Sequence, residues 1–497
     1  MVWFPKLRKH EWFILVLILV GFLILATRNL TRLPIFVDEA IYLRWAQIAW
    51  HDPSWRFISL TDGKQPFYIW LVIPFMKMIA DPLAAGRAAS VFSGLLTVVG
   101  MGYLGWLLKD KRLGFYAMLL TALSPYLYFY YRFGIMESTL VASVIWVINF
   151  SILLARTSRL DMALLLGMIT GLSLLVKSSA LFFCLIIPFP FFFTQEKSKL
   201  SRRFVLKYLA LVAIAWILAA VIYNIQRLSP WMNVIAEKNA FFTVPYSEIF
   251  AEPSRLWGNF LNVWRWQVAY STIPVLLFSL WGLFRFWQQD RRLTLLNLAW
   301  LFGPVVGTVA IARLFAPRYI IYATPFVLLL AAYGLVAIKN RSQRWFLAAV
   351  VSIWPLILIG RLILDPIHFP YVSVDEGYVN GWSAGNGTKQ IAAWAVNRLR
   401  THPEISKLTI YTEGTFGILP HGLELYAKDE RGLEIIGLYP ISTLPPPAAV
   451  DAARINPETY LILNNTETPF MVEGLELVDS YPKLRDNPMR LYQIIPR

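Results

Sequence analysis

The chain runs from a membrane-length apolar segment almost directly into two adjacent acidic residues, in the stretch "EWFILVLILVGFLILATRNLTRLPIFVDEAIYLRW" at positions 11–45. A helix needs about 20 apolar residues to cross a bilayer, and this segment supplies them. Asp38 and Glu39 follow soon after, beside lipid, where charge is costly. The stretch therefore predicts a membrane protein with ionisable side chains at one face of the bilayer.

Composition indicates that most of the chain is embedded in the membrane. Of 497 residues, 57% are hydrophobic and only 15% are charged, with a mean hydropathy of +0.54. Soluble domains are nearer half apolar and a quarter charged. A single cysteine, Cys184, excludes an internal disulfide framework and a thiolate zinc site. The fold class predicted is a polytopic α-helical membrane protein.

Apolar runs predict about eleven transmembrane helices of roughly 20 residues each. After the first, they lie near 86–108, 113–131, 137–155, 161–178, 180–194, 205–224, 268–286, 293–312, 319–337 and 344–361. The segment 67–80 is short and contains Pro74 and Lys77, so we interpret it as a helix in the interface. Basic connectors at 109–112, 155–159, 195–203, 285–292 and 339–344 then share the side of the basic N-terminus. This side is the cytoplasm by the positive-inside rule.

The character of the sequence changes after Arg361. β-like runs such as "KLTIYTEG", "LEIIGL", "TYLILNN" and "RLYQIIP" alternate there with helix-like stretches such as "KQIAAWAVNRLR". This pattern predicts a membrane domain over 1–361 and an extracytoplasmic α/β domain over 362–497.

Charge is distributed unevenly between these two regions. Residues 365–497 contain 11 Lys and Arg against 16 Asp and Glu, whereas the whole chain has a net charge of +16. The basic excess therefore lies in the membrane part, where it sets orientation or contacts anionic membrane lipids. No basic stripe occurs on a soluble module, which argues against nucleic acid as a partner.

Ionisable residues from distant outer loops form the candidate site: Asp38, Glu39, Lys64, Arg87, Arg132, Glu137, Lys177, Arg318 and Tyr319. Each has a plain structural alternative. Asp38 is also suited to cap a helix, Lys64, Arg87 and Lys177 to reach the headgroups, and Arg132 and Glu137 to pair with each other. Arg318 at a helix start opposes the helix dipole, which favours a bound anion. The histidines show no metal-ligand spacing.

One or two carboxylates and several cations at a lipid surface suit sugar transfer from a polyprenyl phosphate. The phosphate leaving group needs charge stabilisation more than a general acid, whereas the acceptor hydroxyl needs a base. A retaining glycosidase would need two carboxylates facing each other about 5 Å apart across the sugar. Asp38 and Glu39 point roughly 100° apart on a helix and cannot do this.

Five motifs in order resemble the GT-C class of membrane glycosyltransferases. The similarity is to the branch containing protein O-mannosyltransferases and the bacterial lipid A aminoarabinose transferase (glycosyltransferase family 39-like). They are Asp38-Glu39, "GKQPFYIWL" (63–71), "AGRAASVFSGLLTVVGMGYLGWLL" (85–108), "RFGIMESTL" (132–140) and "PRYIIYATPFVLLLAAYGL" (317–335). The similarity covers about residues 1–360.

The resemblance implies a function and roles for individual residues. Asp38 would activate the acceptor hydroxyl with support from Glu39, while Lys64, Arg132 and Arg318 would hold the lipid-linked phosphate. The implied donor is a polyprenyl-phosphate sugar, the acceptor is a lipid, a glycan or a protein, and the anomeric carbon is inverted. The implied location is the bacterial plasma (inner) membrane.

The motifs also depart from the branch. Gln65 replaces a Pro, Glu137 stands where Asp is usual, and Gly63 precedes Lys64 where the aminoarabinose branch has Glu. The last change removes an acidic residue associated with metal, so no cofactor is inferred, although a divalent cation stays an alternative. Two rival functions remain, a lipid-linked sugar transporter (flippase) and a non-catalytic envelope scaffold. A transporter would place ionisable residues at the midplane and often show inverted repeats.

Overall fold

A computed structural model of the chain describes residues 6–194, 201–466 and 472–496. Part of the predicted basic connector 195–203 lies outside these residues. Within them, contacts divide the chain into two compact units. The first, the membrane unit, comprises 1–29, 56–71 and 87–364. The second, the sheet unit, comprises 30–55, 72–86 and 365–497. The sheet unit thus joins the C-terminal region to two segments of the stretch between the first two predicted transmembrane helices.

Helices account for most of the first 364 residues. They are α1 Lys9–Thr27, α2 Val37–His51, α3 Phe67–Met78, α4 Pro82–Leu108, α5 Lys111–Ala122, α6 Pro125–Tyr131, α7 Glu137–Thr157, α8 Leu160–Leu174, α9 Leu181–Leu185, α10 Phe189–Thr194, α11 Arg202–Tyr223, α12 Val234–Phe242, α13 Pro253–Ser271, α14 Ile273–Gln289, α15 Arg291–Ile311, α16 Thr324–Val336 and α17 Arg341–Leu364.

Six of the described helices, α1, α4, α7, α11, α15 and α17, are long and apolar enough to cross a membrane, or seven if the bent pair α13–α14 counts as one span. Shorter apolar helices lie at other predicted spans, including α8 and the region of α16. The protein is therefore an integral membrane protein, while the predicted number of eleven spans stays a prediction. The boundary predicted at 361/362 falls inside α17, which continues to Leu364.

One predicted span begins later than expected. The apolar run 268–286 is broken at Thr272, whose φ of 68° ends α13, and α14 leaves at 111° to it. A β-branched residue at positive φ is uncommon, and an interior helical position cannot have this conformation. The stretch 225–267, between two predicted spans, thus contains two α-helices, α12 and most of α13.

Small residues allow close helix packing in the membrane unit. A Cβ added at Gly282 on α14 would lie 1.8 Å from the carbonyl oxygen of Leu330 on α16, and one at Gly334 would lie 2.6 Å from the carbonyl oxygen of Phe278. Such backbone approach is typical of membrane helices, which associate through small side chains and packing.

The C-terminal region folds around a five-stranded mixed sheet, as its alternating pattern predicts. The strands are β3 Leu408–Glu413, β4 Leu433–Leu438, β5 Thr459–Leu463, β6 Leu475–Tyr481 and β7 Met489–Ile494. The strand order is β4–β3–β5–β7–β6, with β3 parallel to both β4 and β5, and β7 antiparallel to β5 and β6. The helices are α18 Thr388–Thr401, α19 Leu423–Ala427 and α20 Pro447–Ile455. Strands β1 Ile35–Phe36 and β2 Ala384–Gly385 form a separate antiparallel pair.

Candidate functional site

The two adjacent carboxylates lie in the first turn of α2, within the sheet unit. Glu39 is fully buried, and its Oε2 accepts a hydrogen bond of 2.9 Å from the backbone N–H of Phe36. It thereby satisfies one of the N–H groups that a helix start leaves unpaired. Asp38 is half-buried and is the second residue of the helix, whose N-cap residue is Phe36. The positive end of the helix dipole favours both negative charges.

The start of α2 is fixed by residues more than 300 positions later in the chain. Strand β1 pairs with β2, and the N–H of Val37 donates to the carbonyl oxygen of Ser383 at 3.0 Å. The ring of Phe36 stacks on that of Tyr378 with centroids 4.2 Å apart. These contacts immobilise the backbone on the N-terminal side of Asp38.

In the membrane unit, the carboxylate of Glu137 contacts two of the predicted cationic site residues. Glu137 is the first residue of α7 and is almost completely buried. Its Oε1 lies 2.7 Å from Nζ of Lys177 and 4.0 Å from Nε of Arg318. The side chains of Lys177 and Arg318 are 23% and 19% exposed, so both remain partly accessible.

Aromatic rings connect this ion pair to further lysines. Lys177 Nζ lies 4.6 Å from the centroid of the Tyr319 ring, and the Phe242 ring lies 6.5 Å from that of Tyr319. Lys64 Nζ is 5.1 Å and Lys238 Nζ is 6.0 Å from the Phe242 centroid. We call Lys64, Lys177, Lys238 and Arg318, with their rings Phe242 and Tyr319, the cationic cluster. Cation–π contacts of this kind hold ammonium groups without neutralising them.

Local hydrogen bonds bring the segments of the cationic cluster together. Ser178 Oγ accepts from Gln65 Nε2 at 2.6 Å and from Asn239 Nδ2 at 3.1 Å, joining the segment before α3 to α12. Gly63 has a φ of +64°, and a Cβ there would lie 2.6 Å from the carbonyl oxygen of Val234. Any side chain at position 63 would therefore displace α12. This is a physical reason for glycine at position 63.

Two predicted site residues have other surroundings in the membrane unit. The guanidinium of Arg132 donates to the carbonyl oxygens of Arg28 at 2.7 Å and Asn29 at 2.8 Å, just after the end of α1. It also donates to the hydroxyl of Tyr128 at 3.1 Å. Arg87 is 1% exposed, and its Cζ lies 5.1 Å from the centroid of the Phe133 ring. A side chain this deeply buried does not extend to the lipid headgroups, which was the structural alternative for Arg87.

Sequence reasoning missed two members of the cationic cluster, Lys238 and Phe242. Both belong to α12, in a stretch between two predicted spans, and Lys238 pairs with Asp62 at 2.5 Å. The only available signal was "EKNAFF" at 237–242, a lysine beside two phenylalanines. Among residues 6–194, 201–466 and 472–496, no group of three or more His, Cys, Asp and Glu side chains could hold a metal ion.

Solved structures share this architecture over nearly the whole chain. ArnT from Cupriavidus metallidurans has a TM-score of 0.57 in the apo state and 0.59 bound to undecaprenyl phosphate. The identities are 14% and 15%, and the alignments cover 96% and 98% of this chain and 97% and 98% of ArnT. The chain has the GT-C fold.

A second protein with the GT-C fold extends the comparison. AglB, an oligosaccharyltransferase from Archaeoglobus fulgidus in complex with an inhibitory peptide and a dolichol-phosphate, has a TM-score of 0.51 at 13% identity. The alignment covers 91% of this chain and 69% of AglB. No protein-family model and no curated protein sequence matches the chain significantly. At these identities, the likeness establishes the GT-C fold.

Proposed function

We propose that the protein is an inverting glycosyltransferase that moves a sugar from a polyprenyl phosphate to an acceptor hydroxyl. The acceptor belongs to a lipid, a glycan or a protein. The reaction takes place at the outer face of the plasma membrane, with the N-terminus in the cytoplasm and the C-terminal region outside. Support comes from the GT-C fold and from the undecaprenyl phosphate and dolichol-phosphate in the ArnT and AglB complexes.

The observation that carries the proposal is the cationic cluster. It contains four cationic side chains, with the carboxylates of Asp62 and Glu137 among their partners. The side chains of Lys177, Lys238 and Arg318 are 19–29% exposed, which suits them to bind an incoming anion. A phosphate bound there would be stabilised as a leaving group in surroundings drier than bulk water, where charge interactions are strong.

Asp38 is the base in this proposal. Its carboxylate would take the proton of the acceptor hydroxyl as oxygen attacks the anomeric carbon and the bond to phosphate breaks. Glu39 then acts indirectly, because its bond to the Phe36 N–H orients the first turn of α2. Arg87 and Arg132 become residues that support the membrane unit. No metal ion is assigned a role, because position 63 is glycine and lacks the acidic side chain that the resemblance associates with metal.

The test separates donor binding from transfer. Purified protein is heated with undecaprenyl phosphate or with undecaprenol, which lacks the phosphate, and is then assayed with a panel of polyprenyl-phosphate sugars. We expect stabilisation by undecaprenyl phosphate alone, because a ligand that binds only the folded state raises its stability. Lys177→Met should abolish this stabilisation.

The matched control is Lys111→Met, which breaks a more exposed Lys–Glu pair in the same unit, with Glu11 at 2.9 Å. Asp38→Asn should retain phosphate binding and lose transfer by a factor of about 100 or more, the usual range for removing a general base. Equal stabilisation by undecaprenol would contradict phosphate recognition. Normal transfer by Asp38→Asn would contradict the role of Asp38, and intact lipid flipping without any transfer would identify a transporter.

A further inference from the structure

A cavity lies within the sheet unit and includes none of the residues assigned above. Its volume is about 400 Å³, in the range of small-molecule sites. Three elements form it: the last turns of α2, the end of α3 with the residues that follow it, and the turn after α19. The side chains that matter for recognition are Gln47, Trp50, His51, Met76, Lys428 and Asp429.

One side of the cavity is flat and aromatic. The rings of Trp50 and His51 lie next to each other, with centroids 4.6 Å apart and planes inclined by 35°. Lys77 Nζ lies 5.7 Å from the Trp50 centroid, and the buried Met76 contributes an apolar patch. A pyranose ring has an apolar C–H face that packs on an indole in the same way as other amphipathic groups.

The polar groups of the cavity include both donors and acceptors. His51 Nδ1 is 2.8 Å from the carbonyl oxygen of Gln47, and a carbonyl can only accept, so Nδ1 carries the hydrogen. In the neutral ring, Nε2 is then an acceptor. Lys428 adds an ammonium donor and Asp429 adds a carboxylate. A ligand hydroxyl both donates and accepts, so this mixture matches a polyhydroxylated ring better than a purely anionic group.

The polar side is held in place by a largely buried arginine. Arg44, 11% exposed, donates to both oxygens of Asp429 at 2.6 and 3.3 Å, to Glu424 at 3.2 Å and to Gln47 Oε1 at 3.3 Å. The Nε2 of Gln47 in turn donates to the carbonyl oxygen of Leu425 at 3.0 Å. Such two-point contacts fix the carboxylate and amide before any ligand arrives.

The turn that presents Lys428 and Asp429 is strained. Both residues have positive φ, 52° and 57°, which costs energy for any residue but glycine. Lys428 is the C-cap of α19, a position where this conformation is common. Asp429 extends the left-handed conformation by one residue and directs its carboxylate to Arg44. Strained backbone of this kind is concentrated at functional sites.

We infer that this cavity binds one sugar ring of the acceptor. The inference rests on the proposed function, since it takes the acceptor to carry a saccharide rather than only a peptide or a simple alcohol. The ring would pack its C–H face on Trp50 and share its hydroxyls among His51, Lys428 and Asp429.

The test uses the full chain in nanodiscs, free of sugar-based detergents, with methyl pyranosides of glucose, galactose, mannose, N-acetylglucosamine and glucuronic acid as probes. Binding is read by saturation-transfer NMR. Trp50→Leu removes the aromatic wall. Lys428→Gly removes the ammonium and relieves the positive φ, so it should fold at least as well as the parent chain. Lys407→Gln, at an exposed Lys–Glu pair, is the control.

We expect at least one glycoside to bind, and each cavity variant to weaken its binding by about fivefold or more, the effect of one lost hydrogen bond or packing contact. Stabilisation by undecaprenyl phosphate should be unchanged in both variants. Absence of binding by every probe, or binding that both variants retain, would overturn the inference. If glycosides bind but undecaprenyl phosphate does not stabilise the protein, the proposed function fails and the acceptor role fails with it.

Discussion

Replacing Glu137 by Gln tests whether the cationic cluster is built to exchange an internal carboxylate for a phosphate. Glu137 is 4% exposed and lies 2.7 Å from Lys177 and 4.0 Å from Arg318. Loss of one partner from a buried ion pair costs about 3–5 kcal/mol because the remaining charge is uncompensated. Lys177 and Arg318 are partly exposed, so water reduces this cost to roughly 2–3 kcal/mol.

The same substitution should strengthen phosphate binding. A phosphate seated on Lys177 and Arg318 would lie roughly 6 Å from the Glu137 carboxylate, and at an effective dielectric constant of about 20 their repulsion is about 3 kcal/mol. Partial exposure reduces this repulsion to about half, or roughly 1.4 kcal/mol. A free-energy difference of that size corresponds to a tenfold change in affinity. Glu137→Gln should therefore unfold at lower temperature alone, yet gain more stability from undecaprenyl phosphate than the parent protein does.

The assay is thermal unfolding with and without undecaprenyl phosphate, combined with direct titration at low and high salt. Glu11→Gln, which breaks the Lys111 pair, is the control and should leave the ligand effect unchanged. Turnover should fall in Glu137→Gln, because the released polyprenyl phosphate dissociates more slowly and product release limits many enzymes. If Glu137→Gln weakens phosphate binding as much as Lys177→Met does, Glu137 orients the cations rather than competing with the ligand, and this reasoning is refuted.

Three further predictions concern the two units separately. Gly282→Ala should lower the melting temperature by several degrees, since its Cβ would lie 1.8 Å from a carbonyl oxygen, whereas Gly360→Ala, with no atom within 4 Å, should be neutral or slightly stabilising. Arg44→Leu should destabilise the sheet unit by about 2–3 kcal/mol in denaturant unfolding, because Glu424 and Asp429 lose their shared partner, while Arg454→Leu at the exposed Asp451 pair should cost less than about 0.5 kcal/mol. Burial lowers the pKa of Lys483 to about 8 against the opposing effects of Asp486 and Glu413. Between pH 8 and about 10.4 the unfolded chain therefore binds more protons, and the free energy of unfolding should rise with pH by about 1–2 kcal/mol, a rise that Lys483→Gln should remove.

Periodicity and hydropathy predicted most helices and strands, because burial in lipid or in a sheet leaves a simple pattern. The strands β3, β4, β5 and β7 lie where their apolar runs are, whereas β6 was missed because its sequence "LELVDSY" is largely exposed and carries two acids. The break at Thr272 was missed for another reason. A single positive φ interrupts an apolar run without changing its composition, so hydropathy continues across it.

The candidate site was predictable only in part. The predicted topology placed Lys64, Glu137, Lys177, Arg318 and Tyr319 on one side of the membrane. In the structure these five side chains belong to one network of ion pairs and cation–π contacts. Their pairing could not be read from the sequence. The only partner that the sequence suggested for Glu137 was Arg132, five residues away, as a structural alternative, whereas its carboxylate also contacts Lys177, 40 positions later.

The sheet unit raises a different question, the purpose of a sheet domain in a membrane protein with the GT-C fold. The backbone N–H of Val37 donates to Ser383, and residues 35–36 pair with 384–385, so the segment leading into Asp38 is a strand only because the C-terminal region supplies its partner. A two-residue strand has no stability of its own. Removing residues 362–497 would leave Ile35 and Phe36 exposed and the first turn of α2 unsupported, which would disable Asp38 whether or not the removed region ever touches a substrate. The C-terminal region is thus part of the framework that positions the proposed base. A separate role of this region in binding can therefore be tested only with substitutions that leave the β1–β2 pair intact.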